Sequence, residues 1–165
     1  NPSDQRYPRS KNIVFTEYAS VSEIRFNIYL KIIILNKFNK NLKIKMQRKE
    51  LIEKIAESID AKDAVKFSEF ITEDGTFRFG NAESVKGRKN ISDYVAYFFT
   101  MIKSSSHKIV NLWDTGKHFI WEGEVLYTRL DEKQVTVKFV NIFNMEGDMI
   151  TDYLIYIDNT PLFAE

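Results

Sequence analysis

The feature that most constrains this chain is the stretch from His107 to Asp158, which shows no helical period. Four segments there alternate apolar with polar residues: HKIVNLWD, HFIWEGEVLYTRL, VTVKFVNIFNM and MITDYLIYID. They are separated by the short breaks TGK, DEKQ and EGD. Period-two alternation sends successive side chains to opposite faces, and tight turns between such segments make neighbouring strands antiparallel. An antiparallel meander follows. In the second and third strands the inner phase falls on the odd positions: Phe119, Trp121, Gly123, Val125 and Tyr127, then Val137, Phe139, Asn141 and Phe143.

The last strand is phased by its turn. A two-residue turn at Glu146-Gly147 pairs Met145 with Asp148, which sets Asp152 opposite Asn141 and Leu154 opposite Phe139. Asp152, Leu154, Tyr156 and Asp158 then point inward. A slip of one residue would put Tyr153, Ile155 and Ile157 there instead.

Helices precede the meander. MQRKELIEKIAESIDAKD, opening at Met46, carries Leu51, Ile52, Ile55 and Ile59 at spacings of three and four, the mark of an amphipathic helix. A short helix is expected near Asp63 to Ile71, then a turn at TEDG, a strand over Thr76 to Gly80 and a short strand at SVKG. A third helix over Arg88 to Lys103 presents Ile91, Tyr94, Val95, Phe98, Phe99 and Ile102 on one broad face, and the serines 104–106 break the chain before the first long strand.

At 165 residues the chain suits one domain plus an appendage. It has no cysteine, only His107 and His118, and neither a zinc motif nor an Asp-rich calcium loop. Its six glycines form no phosphate-binding loop. No metal and no cofactor are expected. Residues 1–45 hold nine Lys/Arg against three Asp/Glu, whereas 46–165 hold fifteen against twenty. An acidic domain lacks the basic groove that displaces counterions, so no nucleic-acid partner is expected. The apolar run Phe26 to Leu35 is ten residues long and contains Lys31, too short for the roughly 20 residues that span a bilayer. No membrane partner is expected. That run, free of Pro and Gly, reads as β-prone, and no cleavage pattern follows it; a cytoplasmic location is expected. Met46 is the first methionine and reads as the natural start of a domain over 46–165. Residues 1–45 form a basic Asn/Lys/Ile-rich extension, either non-native or poorly ordered upstream sequence or a genuine arm that packs on a partner.

Five stretches in order, IDAKDAVKFSEFITEDGTFRFGN, GRKNISDYVAYFF, WEGEVLYTR, VTVKFVNIFNMEGDMITDY and IYIDNTPLFA, resemble the nuclear transport factor 2-like superfamily, which includes the SnoaL-like cyclases and the ketosteroid isomerases. The resemblance covers essentially all of residues 46–165. It implies an α+β cone: three N-terminal helices packed on a strongly curved antiparallel sheet around an apolar pocket, with a homodimer through the convex face. The isomerases' catalytic positions fall on Ile55, Phe79 and Phe139, all apolar. Proton abstraction beside a carbonyl needs a base and an enolate donor, so steroid-isomerase chemistry by those residues is rejected. The cyclases' acid/base aspartate, at the end of the last strand, falls on Asp158; the alternative is that Asp158 caps the strand end by bonding to the Asn159-Thr160 turn.

Asp158 and Asp152 are therefore the candidate catalytic groups. Asn141 is the polar residue of the inner face, with Asp152 as its expected partner, because an unpaired buried amide costs about 1–3 kcal/mol. Phe79, Phe139, Phe143, Trp121, Tyr127, Tyr97, Trp113 and His107 complete the candidate ligand pocket, although aromatic residues at these periods also serve as plain core. Three functions stay open: binding of a small, largely apolar molecule, which we favour; a cyclase, isomerase or hydrolase using a pocket aspartate; and a dimeric interaction module with a vestigial pocket.

Overall fold

The computed structural model describes residues 20–164. The chain divides into two units, residues 1–42 and 43–165.

The first helix, α1 (Val21–Asp60), does not begin at Met46. Its start is a capping box. Glu23 N–H donates to Ser20 Oγ (3.2 Å) and Ser20 N–H donates to Glu23 Oε2 (2.7 Å), so two donors left over at the helix end are satisfied reciprocally. The run Phe26 to Leu35, read above as β-prone, is therefore helical, and residues 20–47 are exposed throughout. No helix among the described residues is long and apolar enough to cross a membrane. The part of residues 1–45 before Ser20 lies outside the described residues.

In the second unit the end of α1 buries Ile52, Ile55, Ala56 and Ser58. Asp63 then caps the short helix α2 (Ala64–Ser68) by accepting from Lys66 N–H at 2.9 Å. Strand β1 (Ile71–Phe79) contains the TEDG segment, which is not a turn. The β1–β6 register shifts between Ile71 and Thr76, and this bulge bends the strand without ending it. After β2 (Val85–Lys86) and α3 (Arg88–Thr100) come the long strands β3 (Ile102–Asp114), β4 (His118–Arg129), β5 (Gln134–Glu146) and β6 (Met149–Ile157), then one turn of helix, α4 (Thr160–Phe163). The serines 104–106 lie inside β3. The six strands form one curved, unclosed sheet ordered β2-β1-β6-β5-β4-β3, with β1 parallel to β6 and the other pairs antiparallel. The second unit is an α+β cone, helices on the concave side of a bent sheet.

The inner phase of β4 and β5 is as expected: Phe119, Trp121, Val125, Tyr127, Val137, Phe139, Asn141 and Phe143 are all buried. In β6 the expectation fails. The turn is made by Gly147-Asp148, with Glu146 opposite Met149. Gly147 has φ +60, as the first central position of a type II′ turn requires. A bulge between Asn144 and Met145 then shifts the register. Asn144 faces Asp152, Asn141 faces Ile155 and Phe139 faces Ile157. The extra residue lets Ile150 and Tyr153, three apart, both turn into the core, followed by Ile155. Asp152 lies on the outer face, Tyr156 is half exposed and Asp158 is exposed. This phase buries a phenol ring and a branched aliphatic chain where the other would bury carboxylates.

Curvature and packing meet at Gly123. A Cβ there would lie 2.4 Å from Phe139 Cζ, 2.8 Å from the Lys108 carbonyl oxygen and 2.8 Å from Trp121 Nε1. Trp121 and Phe139 pack edge to face across this gap, ring centroids 4.9 Å apart. Gly123→Ala should lower stability by about 1–3 kcal/mol through overpacking, read as a lower urea midpoint with an unchanged slope.

Candidate functional site

A narrow cavity of about 40 Å³ lies between the helices and the concave face of the sheet. Its wall is apolar apart from a few groups. Ile59, Val95, Phe98 and Phe99 come from the helices, Phe77 and Phe79 from β1, and Val125, Tyr127, Phe139 and Ile155 from the meander. The polar lining side chains are His107 and Asn141, together with the phenols of Tyr94, Tyr127 and Tyr153.

His107 is held by Asp60, at the end of α1. Asp60 is the last residue of α1, where the helix dipole disfavours a carboxylate. It is nonetheless fixed by three donors. His107 Nδ1 lies 2.5 Å from Asp60 Oδ1, the His107 backbone N–H donates to Oδ2 at 2.9 Å, and the Ser105 hydroxyl donates to Oδ1 at 2.9 Å. Ser105 and His107 are two apart on β3 and share its inner face. The carboxylate thus straps the helix end to the strand and orients the ring. Because an ionised carboxylate only accepts, Nδ1 carries the proton facing it, and Nε2 is the atom left for a guest. Burial would raise the Asp60 pKa, but the His107 ring and backbone together with Ser105 outweigh it and hold the group below its usual 3.8.

Asn141 is buried at 3% exposure, and its partner is not Asp152 but Tyr153, with Nδ2 donating to the phenol oxygen at 2.9 Å. Among the described residues Asn141 Oδ1 has no partner. Burial pushes the Tyr127 and Tyr153 phenols far up; the Asp60 charge adds to the first and Tyr127 to the second, against the Asn141 bond.

The two candidate aspartates do not reach the cavity. Asp152 accepts from Thr76 Oγ1 and from Asn144 Nδ2 (3.0 Å) on the outer face, in a chain that continues from Asn144 Oδ1 to His118 Nδ1 at 2.6 Å. Asp158 accepts from the Thr160 N–H at 2.9 Å, and hydrogen bonds from Thr160 hold its carboxyl below the usual value. That is the strand-end cap. Of the other expected residues, Phe79, Phe139, Tyr127, Asn141 and His107 line the cavity. Trp121 and Phe143 are fully buried in the core behind it, while Tyr97 (65%) and Trp113 (47%) are exposed. The His107 side chain is only 8% exposed. Asp60 and Ser105 were missed. The available signal was the inward spacing of Ser105 and His107, obscured because three consecutive serines read as a break.

A lowered carboxyl pKa stabilises the fold above the unfolded-state value, and that contribution is lost as pH falls through the folded-state value. The stability gap between wild type and Asp60→Asn should therefore be constant near neutrality and shrink below about pH 4. Urea titrations of both proteins across that range measure it.

No curated protein matches the sequence. Solved structures match the fold. A hypothetical protein of Catenulispora acidiphila with a ketosteroid isomerase-like fold, solved with trimethylamine, is 19% identical with a TM-score of 0.61, over 65% of this chain and 84% of that one. A nuclear transport factor 2-like protein of unknown function from Burkholderia pseudomallei is 12% identical with a TM-score of 0.64, over 70% and 94%. A nuclear transport factor 2-like protein of Anabaena variabilis is 18% identical with a TM-score of 0.62, over 68% and 87%. The family profile described as SnoaL-like domain matches residues 52–153, from the buried end of α1 to the inward Tyr153 of β6. With its helices closing a bent sheet over that same span, the chain belongs to the SnoaL-like domain family.

Proposed function

We propose that this domain binds a small, largely apolar molecule in the cone cavity and holds the molecule's one polar group at His107. The observation that carries this reading is a largely apolar, aromatic cavity lined by one imidazole whose Nδ1 is bonded to a carboxylate outside the wall. Apolar pockets with a few placed polar groups are the usual form of small-molecule sites. A protein of the same fold, from Catenulispora, was solved in complex with trimethylamine, which supports a small guest for this domain. Toluene and indole test the reading. Both should raise the melting temperature in a concentration-dependent way. His107→Ala should weaken indole, whose N–H can donate to Nε2, by about tenfold, with little change for toluene. No shift with either compound at millimolar concentration would reject the reading.

A second reading is favoured by the Asp60–His107 geometry. A carboxylate that fixes the tautomer of an imidazole facing a water-poor cavity is the arrangement of a general acid/base pair. In this reading His107 takes or gives the proton at Nε2 and Asp60 is the positioning residue. The reaction class it suits is proton transfer at a carbon beside a carbonyl, and its test is deuterium uptake from heavy water into cyclopentanone. Uptake should be catalysed by the wild type and lost in His107→Gln; equal rates in both would remove His107 from the chemistry.

A further inference from the structure

The cavity combines an aromatic wall with one fixed negative charge just behind it. Nine of its sixteen lining residues are aromatic, and none is Lys or Arg. Several of these rings meet one another edge to face, among them Phe77 with Tyr94 at 6.0 Å and Phe98 with Tyr127 at 6.0 Å. The charge is that of Asp60, separated from the cavity by the thickness of the His107 ring. It is held in its ionised form, as its lowered pKa indicates, and part of the upward push on the Tyr127 phenol comes from it. The Asp60 field therefore reaches a side chain of the cavity wall. His107 Nδ1 is spent on Asp60, and Nε2 has no hydrogen-bond partner among the described residues.

We propose that the guest is a small tertiary alkylammonium cation, which donates its N–H to His107 Nε2 and lays its alkyl groups against the aromatic wall. This deepens the binding reading above and rests on it. Bringing a cation into an apolar cavity costs part of its hydration, and two features offset that cost. Ring faces attract a cation through their quadrupoles, more strongly when water is excluded. The Asp60 carboxylate, bonded to the other nitrogen of the same ring, places a negative charge one imidazole away from the guest, where low dielectric leaves the attraction strong. A neutral alcohol of the same shape could donate the same hydrogen bond but gains neither charge interaction. An anion meets Asp60 and the ring faces, both repulsive. The cavity's narrowness limits the alkyl groups to small ones.

Three probes of similar bulk separate these cases: dimethylethylammonium, tert-amyl alcohol and pivalate, titrated calorimetrically into the full chain at neutral pH. The ammonium should bind at least about tenfold more tightly than the alcohol, with pivalate weakest. Asp60→Asn, checked for folding by its melting curve, should bring ammonium and alcohol within about twofold of each other. If that variant does not fold, the wild-type series decides alone. Equal affinity for ammonium and alcohol would overturn the proposal while leaving the cavity a binding site. Preference for pivalate would overturn it by showing that the pair carries an imidazolium. Failure of all three probes with toluene still bound would also overturn it, and failure of toluene as well would remove the binding reading with it.

Discussion

The Asp60 carboxylate is the tie on which the site depends. It sits at the C-terminal end of a helix, where the backbone dipole opposes it, and it persists because Ser105 and the ring and backbone of His107 converge on it from one strand. Helix end and sheet otherwise meet there through apolar side chains and the bond from Lys62 Nζ to the Ile102 carbonyl oxygen (2.8 Å), neither of which orients the His107 ring. Hydrogen bonds to a charged group are stronger and more directional. The same contacts that close the helix onto the sheet therefore decide which ring nitrogen of His107 faces the cavity.

Shape is the second constraint. Gly123 leaves a gap in β4 that Phe139 and Trp121 fill from either side, and the pair backs the ring of His107 at centroid distances of 5.7 Å to each. Rigid rings around a narrow cavity restrict the size of what enters. They leave few polar atoms inside: the Tyr153–Asn141 pair satisfies itself except for one amide oxygen. The His107 imidazole, with the unpartnered Asn141 Oδ1 and the phenols of Tyr94 and Tyr127, gives the cavity its polarity.

Much of this architecture is legible in the sequence. Helices first and a meander after them, the inward phase of β4 and β5, and the pocket positions of Tyr127, Phe139 and Asn141 follow from period-two and period-3.6 patterns that local sequence carries, whereas Phe79 came from the family resemblance. The start of α1 was legible too, in the Ser20 and Glu23 capping box, but Met46 drew the boundary away from it. The β6 register was not. A glycine turn and a bulge together set it, and the alternating run from Asp152 to Asp158 supports either phase, since each offers aromatic and aliphatic residues to one face.

The sequence by itself determined the fold class and the inner face of the central strands, because alternation is a property of neighbours along the chain. The resemblance to the ketosteroid isomerases, read on the same sequence, set their catalytic positions on Ile55, Phe79 and Phe139, which have no ionisable group. Tertiary structure alone decided that Asp152 and Asp158 stay outside and that Asp60 and His107, 47 positions apart, form the polar corner of the cavity. The physical reason is burial. The strand end turns its phenol and aliphatic groups into the core and leaves Asp152 to the Thr76 and Asn144 side chains on the outer face and Asp158 to the Thr160 N–H at the strand end. A carboxylate is retained beside the cavity only where three donors from a distant strand meet it.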